Sequence, residues 1–257
     1  MNFVILLAVF LLAFVLVSAA WRRIWIVKAA RNILRRSNNA FQANHIFCKV
    51  SAQDYPWLSS EFYEQAQRDA EAFGFTWLAD IEDETLSQVY PHLRTFVRIL
   101  LAPDFHSRFA IYEIVPGGPY GKPTRQPLQT RELISELSDG FCLITTTAPT
   151  AKILDAPPGV SRTHLPADSR MVDLLEAHRQ AMDDYKILRP VASFEEIRDF
   201  DQATVAWQKG IDRQRAKLET ENGLKLEEIV RIGGKGKEKL SADVHKQMQK
   251  TQGRRLD

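Results

Sequence analysis

At 257 residues, with 45% hydrophobic and 26% charged residues, the chain has room for one sizeable folded domain with appendages, and its composition excludes collagenous and wholly disordered classes. The formal net charge is only +2, but it is unevenly spread: residues 21–50 carry seven Lys or Arg and no acid, and residues 231–257 carry eight against Glu238, Asp243 and Asp257. Two cysteines, Cys48 and Cys142, are too few for a disulfide framework and do not form a CxxC site.

Residues 3–20 hold no charge and only Ser18 as a polar side chain, a run close to the ~20 helical residues that cross a bilayer. Met1-Asn2 lacks the positive charge of a secretory signal, and the basic cluster follows the run, on the side retained in the cytoplasm. The pattern predicts a transmembrane anchor over 1–21, with the N-terminus outside and the rest cytoplasmic, as in a single-pass protein of a bacterial inner membrane. A cleaved signal before Ala20, making an exported protein, is the competing reading.

A basic juxtamembrane helix and linker is expected over 22–44. Trp21 and Trp25 bracket the first arginines as interfacial aromatics do, and Arg22, Arg23, Lys28, Arg31, Arg35 and Arg36 suit anionic lipid headgroups. The bilayer is therefore the first expected partner.

An α+β domain with a mostly antiparallel sheet is expected over 45–190. "SSEFYEQAQRDAEAFGF" (59–75) is a helix with Phe62, Tyr63, Ala66, Ala70 and Phe73 on one stripe and Gly74 as its stop, and "FTWLADIE" (75–82) is a strand. "RTFVRILLAPDFHSRFAIYEIV" (94–115) and "RELISELSDGFCLITTT" (131–147) read as hairpins, the second turning at Ser138-Asp139-Gly140. Glu132 and Glu136 alternate with Leu133 and Leu137, as in a half-solvated sheet. "APTAKILDAPPGVSRTHLPADS" (148–169) reads as a proline-broken connection to a helix over 169–185, with His178 on its apolar face.

"SFEE" (193–196) matches a capping box, opening a long amphipathic helix within 191–222 whose apolar seam is interrupted at Gln214. Residues 223–257, rich in Lys and Gly, read as a basic, weakly ordered tail. A protein partner could use the 194–218 helix or this tail. Without aromatic residues for base stacking, the tail gives no support to nucleic acid binding.

Catalytic templates find little purchase. "GGPYGKPT" (117–124) departs from a P-loop, with Pro123 in the Ser/Thr place. None of the six histidines has a second ligand at metal spacing, and G-x-S-x-G is absent, so no cofactor or metal is implied. The polar candidates are Asp80, Glu82 and Glu84, which alternation would place on one strand face, with Asp104, His106 and His164 in or beside turns. The functional expectation is a membrane-anchored protein whose cytosolic domain binds a protein or small ligand without catalysis. The alternative is a membrane-tethered enzyme with a site built from loops near the sheet.

Overall fold

Runs of apolar, β-branched and aromatic residues broken by polar ones make the strands of this protein. The computed structural model describes residues 2–89, 94–114, 127–234 and 236–253. Its contacts divide the chain into two units, Phe41–Ala216 and a helical one made of Met1–Ala40 with Lys217–Asp257. His92 and the 116–126 part of the glycine- and proline-rich loop lie outside the described residues.

In the sheet unit seven strands lie side by side in chain order: β1 (Phe47–Lys49), β2 (Thr76–Asp83), β3 (Val97–Leu101), β4 (Arg108–Ile114), β5 (Leu128–Glu136), β6 (Cys142–Thr146) and β7 (Val160–His164). All neighbours are antiparallel except β6 and β7, so the sheet is mixed. The β5–β6 turn holds Gly140 at φ +82°, and the Asp139 carboxylate accepts from the Phe141 amide. A parallel neighbour requires a crossover, and residues 147–159 supply it through a short 3-10 turn at Pro149–Lys152. That is why the proline-rich connection conceals a strand.

Two helices, α2 (Ser60–Glu71) and α4 (Met171–Leu188), cover one face of the sheet, while α3 (Glu84–Val89) follows β2. Tyr63, Ala66 and Ala70 of α2 and Leu174 of α4 pack with Phe109 and Leu133 in an apolar core. The other face takes α5 (Phe200–Thr220): Phe200 and Trp207 lie over Ala79, Ile81, Ile99 and Ala110, and the small Ala203 and Ala206 pack with Leu101. The apolar seam of this helix is therefore spent on its own sheet.

The capping box expected at 193–196 is not a helix start. Phe194 is bridged to Leu137 and buried, and the Glu195 amide donates to the Glu136 carbonyl, so this stretch is held extended along the sheet. The helix begins six residues later, where the Asp199 carboxylate accepts from the Gln202 amide at 2.8 Å.

In the helical unit, α1 (Asn2–Ala40) packs along α7 (Glu238–Gly253), which also meets α6 (Leu226–Gly233). Ala30 and Leu34 of α1, Ile229 of α6, and Val244 and Met248 of α7 are buried. A buried ion pair joins Lys217 to Glu228 at 2.5 Å, and Glu228 also accepts from the Lys225 amide. The described residues of the segment expected as a weakly ordered tail thus form two helices, whose sparse apolar residues find partners that are distant in sequence.

The expected membrane anchor is overturned. Among the described residues no helix is long and apolar enough to cross a membrane. The apolar run and the basic run form one unbroken helix to Ala40, with no boundary at residue 21. Its described length carries Arg22, Arg23, Lys28, Arg31, Arg35 and Arg36, each costing about 3 kcal/mol at a bilayer centre. Ala30 and Leu34 are buried within protein. The single-pass architecture and the inner-membrane placement fall with the anchor.

Asp199→Ala should therefore cost about 1 kcal/mol in equilibrium urea unfolding, whereas Ser193→Ala should change stability by less than about 0.5 kcal/mol. Equal losses at both sites would contradict this helix start.

Candidate functional site

Strand alternation decides which side chains meet α5. On β4 it presents Arg108 and Tyr112, on β5 Glu132 and Glu136, on β6 Cys142 and Ile144, and on β7 Val160 and Arg162. Register places Glu132 opposite Ala110 and Thr146, and Ile144 opposite Ile134 and Arg162. The first half of α5 sits tightly on the sheet through Ala203 and Ala206. Farther along, from Trp207 past the side-chain-free Gly210 to Gln214, a cavity of about 310 Å³ lies over β4–β7. Ile134, Ile144, Val160, Trp207 and Ile211 supply its apolar wall, and Phe41 also borders it.

The polar groups are unevenly satisfied. Glu136, 1% exposed, accepts from Arg213 at 2.6 and 3.2 Å and from Arg108 Nη2 at 3.3 Å. Burial works to raise its carboxyl, but Arg213 and Arg108 outweigh this and hold it below the usual carboxylate range. Arg108 is itself 3% exposed, and its Nε and Nη1 have no hydrogen-bond partner; the Gln214 side-chain Nε2 is in the same condition. A buried donor left unsatisfied costs about 1–3 kcal/mol.

Glu132 differs from Glu136. Burial pushes its carboxyl up, and the hydrogen bonds from Thr146 Oγ1 (2.6 Å) and Tyr112 only partly offset this. Burial also raises the Tyr112 hydroxyl, and Glu132 raises it further. The Cys142 thiol is pushed up to about 12 by burial first and the Glu136 charge second, so it stays protonated and offers no thiolate nucleophile.

The polar residues singled out in the sequence go elsewhere. Asp80 and Glu82 do share a face, but it is the α2 face: Asp80 receives Arg98 Nε and Nη2, both at 2.8 Å. Glu82 receives Arg94 and the Tyr55 hydroxyl, and the Arg94 hydrogen bond holds its carboxyl down at about 2. Glu84 leaves the strand and opens α3. Asp104 accepts from the His106 amide at the β3–β4 turn, and His106 lies against Phe194. His164 ends β7 beside Thr146. These six occupy the two faces of the sheet and its turns, so they form no common site.

The eight residues expected at a membrane interface, from Trp21 to Arg36, all lie on α1. Trp21 and Trp25 are exposed, and Arg22 pairs with Asp243 at 2.6 Å. The cavity residues escaped the sequence reading because each charged residue sits singly in an ordinary strand or helix. Gln214, which interrupts the apolar seam of α5, is a sequence irregularity that coincides with the cavity.

Two histidines are buried away from the cavity. His178, on α4, lies between Ser135 Oγ at 2.9 Å and Thr145 Oγ1 at 3.0 Å, and burial lowers it to about 4, leaving it neutral. His45 pairs through Nδ1 with Asp83 at 2.5 Å, while its buried Nε2 has no hydrogen-bond partner. The adjacent strand residue Cys48 has a thiol raised by burial and then by Glu82, which is the wrong state for a nucleophile beside this pair. Among the described residues no group of three or more His, Cys, Asp or Glu is placed to hold a metal ion.

No family model matches the chain, and no curated protein or solved structure matches it.

His178 generates a measurable pH dependence. Its folded pKa of about 4 lies below its ordinary 6.5, so in that window the unfolded chain binds more protons and stability falls as pH falls. Urea unfolding from pH 7 to 4 should lose on the order of 2–3 kcal/mol from this group, and His178→Gln should remove that slope. The loss from Glu82 lies lower, between its ordinary 4.5 and about 2.

Proposed function

We propose that the sheet unit is a ligand-binding domain that takes a small molecule into the cavity between α5 and strands β4–β7. The observation that carries this reading is Arg108: a 3% exposed guanidinium lining the cavity with two nitrogens that no protein group satisfies. Buried polar groups are paired in folded proteins with few exceptions, and an exception in a residue that lines a cavity supports a ligand contact there.

Further support comes from composition. The cavity joins an apolar wall to a few convergent polar groups, which is the usual make-up of a small-molecule site. Binding rather than covalent chemistry is favoured by the states of its reactive groups: Cys142 is held as a thiol, and Glu136 is engaged by two guanidiniums.

Gly210 provides the test, because it borders the cavity and a Cβ added there meets nothing within 4 Å. Gly210→Phe should keep the fold, aided by the higher helix propensity of Phe, while placing a large side chain at a position that lines the cavity. Thermal-shift screening of the full chain against small acids, amides, amines and alcohols should find compounds that raise Tm in the parent and not in Gly210→Phe. A panel whose effects are identical in both proteins would refute the cavity as the site.

A further inference from the structure

Resting on the cavity as a ligand site, we infer the class of ligand: a small organic carboxylate whose carboxylate group meets Arg108 and whose apolar body lies against Ile144, Val160 and Trp207. Three observations converge on it. The first is the set of open donors. Arg108 Nε and Nη1 and Gln214 Nε2 are buried without partners, so the unpartnered polar atoms of the residues lining the cavity are all donors and call for an acceptor. A guanidinium is well matched to a carboxylate, with which it makes charge-assisted hydrogen bonds.

Charge is the second. Arg108, Arg162 and Arg213 border the cavity, against Glu132 and Glu136. Glu136 is already held by Arg213 and Arg108. Glu132 is bonded to Thr146 and Tyr112, and burial favours its neutral form. The remaining balance is positive, which repels an amine and favours an anion.

Size and polarity are the third. About 310 Å³ is at the low end of the ~300–1,000 Å³ of ligand pockets, enough for a short fatty or aryl acid and too small for a nucleotide. The apolar wall suits a hydrocarbon body, whereas a phosphate dianion requires more donors than Arg108 and Gln214 leave open.

Calorimetry on the full chain with matched pairs tests the assignment: phenylacetate against phenylacetamide, hexanoate against hexanamide, with hexylamine and inorganic phosphate as further arms. The acids should bind, the amides should bind about tenfold or more weakly, as expected for losing a hydrogen bond to a charged group, and the amine should not bind. Arg108→Gln should erase the preference for acid over amide, with its fold checked by circular dichroism. If that variant does not fold, the acid–amide comparison in the parent protein decides alone. Amides or the amine binding as tightly as the acids, and lost in Gly210→Phe, would overturn the carboxylate assignment and leave the cavity as a ligand site. Phosphate binding without the acids would overturn it in favour of an inorganic anion. Failure of every acid, amide, amine and phosphate arm would count against the cavity and its ligand class together.

Discussion

The feature on which the sheet unit turns is the buried carboxylate of Glu136 and the two guanidiniums that hold it. A carboxylate out of water is tolerated only when it is paired and hydrogen-bonded, and removing one partner of such a pair typically costs 3–5 kcal/mol. Arg213 meets that requirement from α5 and Arg108 from β4, so the ion pair ties the helix to the strands at the end where its apolar packing thins out. Because Glu136 is satisfied chiefly by Arg213, the guanidinium of Arg108, a residue that lines the cavity, keeps two buried donors without a hydrogen-bond partner.

The two faces of the sheet have divided their tasks. The face under α2 and α4 holds a well-filled apolar core around Phe109, Leu133 and Leu174. Polar groups buried there are closed on one another: Ser107, Ser135, His178 and Thr145 form one hydrogen-bonded chain, and Glu82, Arg94 and Tyr55 form another. The α5 face instead packs by small residues at one end and opens at the other, where charged residues of three strands, β4, β5 and β7, gather. Rigid strands under an open face suit ligand recognition, since they hold donors in place without ordering cost on binding.

The helical unit follows a different logic. Its C-terminal helices α6 and α7 carry few apolar residues, and its interior contains the Lys217–Glu228 pair, with the amide of Lys225 also donating to Glu228. Burial of Ala30, Leu34, Val244 and Met248 joins helices from opposite ends of the chain. The basic residues of α1 and α7 lie largely on exposed surface, where Arg22 and Asp243 form a solvent-screened pair of small energetic weight.

What this sequence determined by itself is what neighbouring residues decide among themselves: the period of α2 and α4, the alternation of β2 to β6, the turn at Ser138-Asp139-Gly140, and the α+β class that follows from them. Each depends on contacts a few residues apart. Tertiary structure decided the rest. β7 pairs with β6 across a proline-broken stretch that has no strand signal of its own. Phe194 is drawn to Leu137, which moves the start of α5 from Ser193 to Asp199. Helices α6 and α7 form in the segment read as a tail, with α1 packed along α7, and α1 is one helix through its basic run rather than an anchor ending at residue 21. The cavity is the clearest case. Alternation placed Glu132 and Glu136 on one face, but a strand read alone cannot say whether water or a helix lies over that face. Only the packing of α5 over that face leaves Glu136 buried and Glu132 half-buried, and burial converts ordinary surface charges into a site.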